Sequence, residues 1–352
     1  MIRVLVVDDS AVMRAFLGRV VGAQPDMELL GASPDPLLAI DRIRRNPPDV
    51  ITLDVEMPRM NGLDFLRNLM AVRPLPVIMI SSLTRQGAET TMRALELGAV
   101  DFFPKPASFD ALEGSAQEIA EKIRAAAGAR ITRRRPSAAP PPPPVHKSNF
   151  APLAPSAQHT GTPLNRVIAI GASTGGVEAL RDLLTPLPPH MPAILIAQHM
   201  PPGFTETFAR RLDTLCRIHV KQAEDHEVVR GGVAYIAPGG RHLMLMRRGA
   251  GYYLRVTEDP PVNRHRPSVD TLLRSVARAA GTHGIGVMLT GMGGDGAEAM
   301  LEMSQNGAHT IAQDEASCVV FGMPRQAIAA GGVREVLPLT DIPARLEALA
   351  VA

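Results

Sequence analysis

The first third of the chain alternates between short apolar runs and segments with helical periodicity. Three apolar runs are each followed by a helical pattern: Val4–Val7 by Ala11–Val21, Val50–Leu53 by Leu63–Met70, and Val77–Ile80 by Thr90–Leu97. Strands that alternate with helices in this way favour a parallel sheet with helices on both faces. The pattern therefore predicts a doubly wound α/β domain.

The same alternation returns in the second half of the chain. Buried strands are predicted at Val167–Ile170, Ala193–Ala197, Val233–Ala237 and Ile285–Leu289. Because these runs are short, β-rich and separated by helical patterns, they predict a second parallel sheet covered by helices. The chain is thus expected to hold two open α/β domains.

A segment without apolar periodicity separates the two halves, from about Ala127 to Pro163. It is rich in Pro, Ala, Ser and Arg and includes five consecutive prolines, Pro140–Pro144. Such a composition favours extended polyproline geometry and cannot close a core. We therefore predict a first domain over residues 1–126, a linker over 127–163 and a second domain over 164–352.

Composition narrows the range of functions. The 37 basic and 35 acidic residues give a net charge of only +2, so no global field favours nucleic acid. The basic run Arg133–Arg135 is local and is interpreted as a solvated part of the linker. Two cysteines without metal-ligand spacing suit a reducing compartment, and no apolar run approaches 18 residues. The sequence predicts a cytoplasmic protein without membrane insertion.

Carboxylates follow two of the predicted strands of the first domain. Asp8 and Asp9 come directly after Val4–Val7, and Asp54 comes after Val50–Leu53. If the strands are neighbours, these side chains converge on one negative site whose oxygen ligands suit Mg²⁺. Any one of these aspartates could instead cap a helix or begin a turn, but the set is hard to attribute to capping.

Two further strand ends supply a hydroxyl, Ser81, and an ammonium, Lys105, both suited to phosphoryl oxygens. With these residues the pattern from Ile2 to Ile123 closely resembles the receiver domain of bacterial response regulators, a flavodoxin-like fold. The resemblance implies that Asp54 accepts a phosphoryl group from a histidine kinase. It also implies that Asp9 and Asp8, with Asp54, hold Mg²⁺ for that reaction.

The same resemblance assigns the switch residues of a receiver. Ser81 would be the switch hydroxyl and Lys105 the phosphate-sensing cation. Phe102 falls where many receivers carry a switching aromatic residue. A phenylalanine lacks the hydroxyl of the more familiar tyrosine, so a switch through a phenolic hydrogen bond is not expected here.

In the second domain, the turn Gly-Ala-Ser-Thr-Gly-Gly follows the strand Val167–Ile170 and places Ser173 between glycines. A serine on such a strand-to-helix turn is lifted clear of the backbone, where a base and a carbonyl can reach it. The alternative is a glycine loop that binds phosphate at a helix N-terminus. The spacing meets neither of the common nucleotide-binding fingerprints.

A serine nucleophile needs a base, and the base needs an acid to fix its tautomer. His199 follows Ala193–Ala197, and Asp295 lies in the glycine-rich loop that follows Ile285–Leu289. The rival base is His265, which lies before a helix that Ser268 is suited to cap; this stretch is interpreted as a pocket wall or substrate contact. The glycines around Asp295 would leave backbone N–H groups open to an oxyanion.

Four motifs together make a second resemblance specific. They read Gly-Ala-Ser-Thr-Gly-Gly, Gln-His-Met-Pro-Pro-Gly-Phe, Val-Asn-Arg-His-Arg-Pro-Ser-Val-Asp and Thr-Gly-Met-Gly-Gly-Asp-Gly. From about Arg166 to Leu349 the chain resembles the catalytic domain of chemotaxis protein-glutamate methylesterases of the CheB type, a Rossmann-like three-layer α/β hydrolase fold. These enzymes also carry an N-terminal receiver, so the order of the domains agrees.

Carried over to this chain, the resemblance implies that Ser173 is the nucleophile, His199 the base and Asp295 the residue that orients His199. The backbone N–H of Met292 would help to bind the oxyanion, and Thr174 would help to shape the site. The esterase reaction itself is expected to need no cofactor.

The implied reaction is hydrolysis of γ-glutamyl methyl esters on chemoreceptors, with release of methanol and accompanying deamidation of receptor glutamines. Fusion to a receiver suggests phosphorylation-dependent control of chemotactic adaptation. Two alternatives stay open at this stage. One is an esterase of a related chemosensory pathway that does not control motility, and the other is a receiver-linked binding module without catalysis.

Overall fold

The computed structural model describes residues 1–57, 60–82, 84–105, 109–131 and 166–351. Most of the predicted linker, including Pro140–Pro144 and Arg133–Arg135, lies outside these residues. Within the described residues, no helix is long and apolar enough to cross a membrane.

The first domain is a five-stranded parallel sheet with the strand order β2-β1-β3-β4-β5. This is the flavodoxin-like order. Its elements are β1 (Ile2–Val7), α1 (Ala11–Gly22), β2 (Met27–Ser33), α2 (Pro36–Arg45), β3 (Val50–Asp54), α3 (Gly62–Val72), β4 (Val77–Ser81), α4 (Arg85–Glu96), β5 (Asp101–Pro104), α5 (Phe109–Gly114) and α6 (Ala116–Ala127). The three predicted strands are confirmed as adjacent central strands, and α6 ends one residue inside the predicted linker.

The second domain is built on a seven-stranded sheet with the order β14-β13-β12-β6-β7-β9-β8, in which every pair is parallel. Its strands are β6 (Val167–Ala172), β7 (Ala193–Gln198), β8 (His219–Gln222), β9 (Val233–Ile236), β12 (Gly284–Met288), β13 (His309–Gln313) and β14 (Glu335–Leu337). Its helices are α7 (Gly176–Leu184), α8 (Phe204–Asp213), α9 (Val269–Ala280), α10 (Ala297–Gln305), α11 (Met323–Ala329) and α12 (Ile342–Val351). The predicted Rossmann-like fold is confirmed.

An antiparallel hairpin, β10 (His242–Arg248) with β11 (Gly251–Thr257), stands outside the parallel sheet and was not predicted. Its inward-facing side chains alternate along the strand: Leu243 and Leu245 are buried, whereas Met244 is only partly covered. The period-two pattern is therefore present in the sequence, but it contains no long apolar run that would mark a buried strand.

Both faces of the second sheet are covered, as a three-layer fold requires. Ile168 and Ile170 of β6 pack into one apolar cluster and Val167 and Ala169 into another, because successive side chains of a strand point to opposite faces. Strand β6 lies between β7 and β12, and the helices that follow β6 and β12, α7 and α10, pack on opposite faces of the sheet. The loops after these three strands therefore meet at one carboxyl edge, where ligands bind in open α/β sheets.

The two domains pack against each other along α4 and β5 of the first. The ring of Phe102 stacks on that of Phe204, the first residue of α8, with centroids 4.6 Å apart. Glu96 of α4 pairs with Arg211 of α8 at 2.8 Å. Beyond α6, Arg130 donates to the backbone carbonyl of Glu315 at 3.0 Å. The first domain thus covers the carboxyl edge of the second sheet.

Candidate active site

Ser173 lies on a tight turn between β6 and α7. Its backbone N–H donates to the Thr290 carbonyl at 3.1 Å, which joins the turn to the loop after β12. Gly175 caps α7 in the left-handed region at φ 79°. A Cβ at Gly175 would stand 2.6 Å from Cβ of Val319, so both the backbone angle and the space require glycine.

His199 and Asp295 come from different loops and meet at this edge. Nε2 of His199 lies 2.9 Å from Oδ2 of Asp295, and both side chains are almost fully buried. An ionised carboxylate can only accept, so the His199 ring donates its Nε2–H to Asp295. The other ring nitrogen, Nδ1, is then the acceptor in the neutral imidazole.

Asp295 is held by an unusually complete set of donors. Its two oxygens accept from His199 and from four further groups: the Asn263 amide at 2.8 Å, the Ser268 hydroxyl at 2.9 Å, the Val269 N–H at 2.6 Å and the Asp270 N–H at 3.3 Å. The last two donors are the first N–H groups of α9, where a helix favours negative charge.

The donors determine the charge state of Asp295. Burial acts to raise the pKa of this carboxyl, but the bond to His199, the amide of Asn263 and the N–H of Val269 outweigh it and lower the pKa to about 2. Asp295 is therefore ionised at neutral pH and fixed in orientation. It can hold the His199 ring and stabilise an imidazolium.

The Ser173 hydroxyl is not hydrogen-bonded to His199 in this structure. Nδ1 of His199 is buried and has no hydrogen-bond partner among the described residues. The carbonyl of Ala172 accepts from the His199 N–H at 3.1 Å, so the base is tied to the residue before the serine. The acceptor nitrogen is thus present and makes no hydrogen bond with the described residues.

His265 lies against the proposed base rather than in its place. Its ring stacks on that of His199, with centroids 3.7 Å apart and an interplanar angle of 9°. Burial lowers the pKa of His265 to about 4, so His265 is neutral at physiological pH. The stack fixes the plane of the His199 ring, as a pocket wall would.

Met292 and Thr174 have different surroundings. The backbone N–H of Met292 makes no hydrogen bond within the described part of the chain, so it is open to an oxyanion. The Thr174 side chain is turned away from such a role: its hydroxyl donates to Oδ2 of Asp101, in the first domain, at 2.5 Å. Thr174 is therefore a contact between the domains as well as the neighbour of Ser173.

The first domain closes the approach to Ser173. Ser173, Gly175 and Gln198 share a cavity of only ≈ 10 Å³ with Val100 and Phe102 of the first domain. A space of this size is about that of a single water molecule. The cavity that Ser173 shares with the first domain is therefore too small for an ester side chain.

A second site, with Asp8 and Asp54 buried and Asp9 exposed, lies at the carboxyl edge of the first sheet. Carboxylate oxygens of Asp8, Asp9 and Asp54 all lie within 4.8 Å of one another. Burial, followed by the nearby charge of Asp8, raises the pKa of Asp54 to about 6, although Lys105 acts to lower it. Burial also raises the pKa of Asp8. Two buried carboxylates close together resist simultaneous ionisation unless a cation is added.

Lys105 partly balances this charge. Its ammonium lies 2.7 Å from Oδ2 of Asp54 and 3.5 Å from Oδ2 of Asp8. Oδ2 of Asp8 is buried and has no hydrogen-bond partner among the described residues. A buried oxygen of this kind, in a set made only of carboxylates, fits a hard cation such as Mg²⁺. The receiver therefore carries an acidic cluster consistent with a Mg²⁺ site.

The remaining receiver residues face away from Asp54. The Ser81 hydroxyl is fully buried and accepts from the Thr91 hydroxyl at 2.7 Å. Phe102 is also buried, in the stack with Phe204. Both side chains therefore point to α4 and to the second domain rather than to the acidic cluster.

Sequence reasoning missed several residues that build the esterase site. The sequence predicts a pocket wall around Asn263 and a helix cap at Ser268; the cap is confirmed, and both side chains also donate to Asp295. Gln198 donates to the Ser173 carbonyl at 3.0 Å and thereby supports the turn. The signal was available for Ser268, since a serine before a helix is a capping residue. Nothing in the sequence alone places Asn263 beside Asp295.

The fold and its two sites define a class of protein: a receiver sheet packed over the carboxyl edge of a Rossmann-like hydrolase sheet. The family model for the CheB methylesterase matches residues 168–346, and the model for the response regulator receiver domain matches residues 4–117. The chain belongs to the CheB methylesterase family.

Relatives extend the match to the whole chain. A protein of Burkholderia lata named protein-glutamate methylesterase/protein-glutamine glutaminase 3 is 56% identical over 349 residues, which cover 99% of this chain and 95% of the relative. A protein of Pectobacterium atrosepticum named protein-glutamate methylesterase/protein-glutamine glutaminase is 57% identical and covers 98% and 96%. The crystal structure of the Thermotoga maritima CheB methylesterase catalytic domain is 41% identical, with a TM-score of 0.51, over 52% of this chain and 98% of that one.

Proposed function

We propose that this protein is a receiver-controlled protein-glutamate methylesterase and protein-glutamine glutaminase that acts in chemotactic adaptation. Its substrates are γ-glutamyl methyl esters and selected glutamines on the cytoplasmic helices of chemoreceptors. The observation that carries the proposal is the ionised Asp295 holding Nε2–H of His199, with Nδ1 left as a base beside the Ser173 turn. The names of the relatives agree with this activity.

The proposed reaction is acyl transfer to Ser173. Nδ1 of His199 takes the hydroxyl proton as Oγ attacks the ester carbonyl, and Asp295 stabilises the imidazolium that forms. The N–H of Met292 stabilises the negative charge on the carbonyl oxygen. His199 then returns the proton to the departing methoxide, and methanol leaves. Water repeats the sequence on the acyl-enzyme and releases the glutamate.

Deamidation follows the same steps. A glutamine side chain offers a carbonyl at the same distance from the receptor backbone as a glutamyl ester, and ammonia takes the place of methanol as the leaving group. The proton from His199 is more important in this case, because an amide nitrogen leaves only after protonation.

The receiver controls this reaction through Asp54. A histidine kinase of the chemotaxis system supplies the phosphoryl group, and Asp8, Asp9 and Asp54 would hold the Mg²⁺ for this transfer. When bound, Mg²⁺ neutralises the charge that gathers around the carboxylates and the phosphoryl oxygens. Lys105, already 2.7 Å from Asp54, is positioned to sense the new charge, and the Ser81 hydroxyl turns toward it.

Control acts by removing the receiver from the esterase site. Phe102 lies three residues before Lys105, and its ring packs on Phe204 beside the cavity of Ser173. Phosphorylation opens the site if the phosphorylated receiver binds the closed position less well than the unphosphorylated one does. We assign residues 1–126 to the receiver, 127–163 to the linker and 164–352 to the esterase.

Methanol release from receptor membranes that carry labelled methyl groups tests the proposal. Intact protein is assayed with and without a small phosphodonor, beside Ser173→Ala. We expect release that rises with phosphodonor and disappears in the variant. No release from matched receptors would favour the binding-module alternative, and release that ignores the phosphodonor would remove the control by the receiver.

A further inference from the structure

The loop that carries His265 holds an arginine in an unusual backbone position. Val262 and His265 exchange both backbone hydrogen bonds, at 3.1 and 2.9 Å, so Asn263 and Arg264 form a two-residue turn. Asn263 has φ 52° and Arg264 has φ 68°. Turns with positive φ at both central residues favour Asn followed by Gly. The arginine at the second position is therefore disfavoured by its own backbone.

The turn is fixed from both sides by the esterase site. Asn263 donates to Asp295, and the ring of His265 lies on that of His199. Arg264 stands between these two anchors, so its Cα cannot move independently of the site. Its side chain remains 76% exposed even with the receiver docked. The exposed guanidinium is thus carried on a turn whose two flanking residues, Asn263 and His265, both contact the esterase site.

In the closed state this guanidinium already binds a carboxylate on a helix. Nη1 of Arg264 donates to Oε1 of Glu121, on α6 of the receiver, at 3.2 Å. Glu121 also accepts from Gln117, one helical turn earlier, at 3.0 Å. Among the described residues, Glu121 is the only acidic side chain that pairs with Arg264. The receiver therefore presents a helix-borne glutamate to the edge of a site that acts on helix-borne glutamyl groups.

We propose that Arg264 is a specificity-determining residue that binds a receptor carboxylate next to the glutamyl ester under attack. In the closed enzyme, Glu121 forms an ion pair with the same guanidinium and so blocks this contact. This inference rests on the proposed function and adds to it the recognition of negatively charged receptor side chains near the ester. A receptor helix that already carries free glutamates is recognised better than a neutral one. The receiver competes for this contact through Glu121.

The test compares two receptor membranes that carry the same labelled methyl ester, one with glutamates one helical turn away and one with alanines there. Full-length wild type, Arg264→Gly and Arg264→Lys are assayed with phosphodonor. Glycine removes the guanidinium and suits the positive φ, so Arg264→Gly keeps the turn. The matched control is Arg248→Ala. Arg248 is an exposed arginine at the last position of β10, about 20 Å along the strand from its first residue, His242.

For Arg264→Gly we expect KM on the acidic receptor to rise about fivefold, with kcat within about twofold, and KM on the alanine receptor to stay the same. Arg264→Lys restores most of the preference, and the control variant behaves as wild type. Without phosphodonor, Arg264→Gly and Glu121→Gln both raise the rate about two- to fivefold on the alanine receptor. Arg264→Gly therefore weakens activity on the acidic receptor when phosphodonor is present and raises the rate on the alanine receptor when it is absent.

Other outcomes overturn the inference. If Arg264→Gly keeps the wild-type preference for the acidic receptor, Arg264 does not bind the receptor carboxylates. If it loses activity equally on both receptors, the residue acts only through the loop and His265. Wild type that releases methanol from both receptors at equal KM refutes the inference but leaves the esterase intact. Wild type that releases none refutes the proposed function as well.

Discussion

Asp54 and Asp295 are both buried aspartates at the carboxyl edge of a parallel sheet, yet their pKa values move in opposite directions. The pKa of Asp54 is raised to about 6 and that of Asp295 is lowered to about 2. Asp295 accepts from five donors, whereas among the described residues Asp54 accepts only from Lys105 and the Glu56 N–H. Asp54 also has Asp8 beside it.

The comparison shows that position at a sheet edge does not decide the charge of a carboxylate. The donors and the neighbouring charges decide it, because each donor stabilises the ionised form against the cost of burial, whereas the charge of Asp8 acts against ionisation of Asp54. Asp295 accepts hydrogen bonds from donors on both oxygens. This suits a carboxylate that stays ionised and orients the base His199. Asp54 is left with unsatisfied charge, which suits a group that takes up a cation and a phosphoryl group.

The largest expected effect comes from removing the charge of Asp295. Asp295→Asn replaces an anion that holds Nε2–H of His199 with an amide that cannot match all the surrounding donors. We expect kcat for methanol release to fall about 10⁴-fold, the size seen when a serine protease loses its orienting aspartate. The assay uses labelled receptor membranes with phosphodonor present. A loss of less than tenfold would show that His199 does not depend on Asp295.

Asp54→Asn is expected to abolish the response to phosphodonor while the Ser173 site stays intact. The ratio of methanol release with and without phosphodonor should fall to one, because an amide cannot accept the phosphoryl group. Chelation of Mg²⁺ should do the same to the wild type, since the carboxylate cluster then lacks its cation. Persistent stimulation in Asp54→Asn would place the phosphorylation elsewhere.

A smaller effect is expected when Asp295 loses one of its five donors. Asn263→Gly removes the amide and suits the φ of 52°, so the loop keeps its shape. We expect kcat to fall about tenfold, the size of one hydrogen bond to a charged group. Asn306→Gly, at the far end of α10, is the control and should match wild type. Equal activity in both variants would mean that the other four donors suffice.

The smallest effect is on thermal stability as a function of pH. The folded pKa of Asp54 is raised above 3.8, so the folded state binds more protons than the unfolded state between pH 4 and 6. Stability therefore falls as pH rises through that window. For Asp295 the sign is opposite: its contribution is present above about pH 4 and is lost as pH falls toward 2.

Scanning calorimetry with a chelator present measures this difference. Relative to wild type, Asp54→Asn should raise Tm by a few degrees at pH 7 and by less at pH 4. Added Mg²⁺ should remove most of the difference by stabilising the wild type. Parallel Tm curves for the two proteins would show that the pKa of Asp54 is not raised by burial and Asp8.

Much of this organisation could be predicted from the sequence. Asp8, Asp54, His199 and the loop of Asp295 each follow a buried apolar strand, and the strands are neighbours as expected. Local pattern was sufficient there, because central strands of a parallel sheet are apolar on both faces. The edge strands β2, β8 and β14, the inner strand β13 and the hairpin were not predicted, since polar residues interrupt their apolar runs.

Contacts between distant loops could not be predicted. Asn263 reaches Asp295 only because a turn with two positive φ values bends it there, and no apolar period marks such a turn. The bond from Thr174 to Asp101 depends on how the two domains dock. The sequence assigned Thr174 to the esterase site, whereas in the structure its hydroxyl is hydrogen-bonded to Asp101 of the receiver.

The strand β5 limits how freely the two domains can be exchanged. Asp101 and Phe102 begin the strand and seal the cavity of Ser173, and Lys105 directly follows its end. The part that senses phosphate and the part that blocks the esterase are therefore one short piece of backbone. A receiver grafted from another regulator would sense phosphate with its own lysine, but it would silence this esterase only with an acidic residue and an aromatic at those two positions.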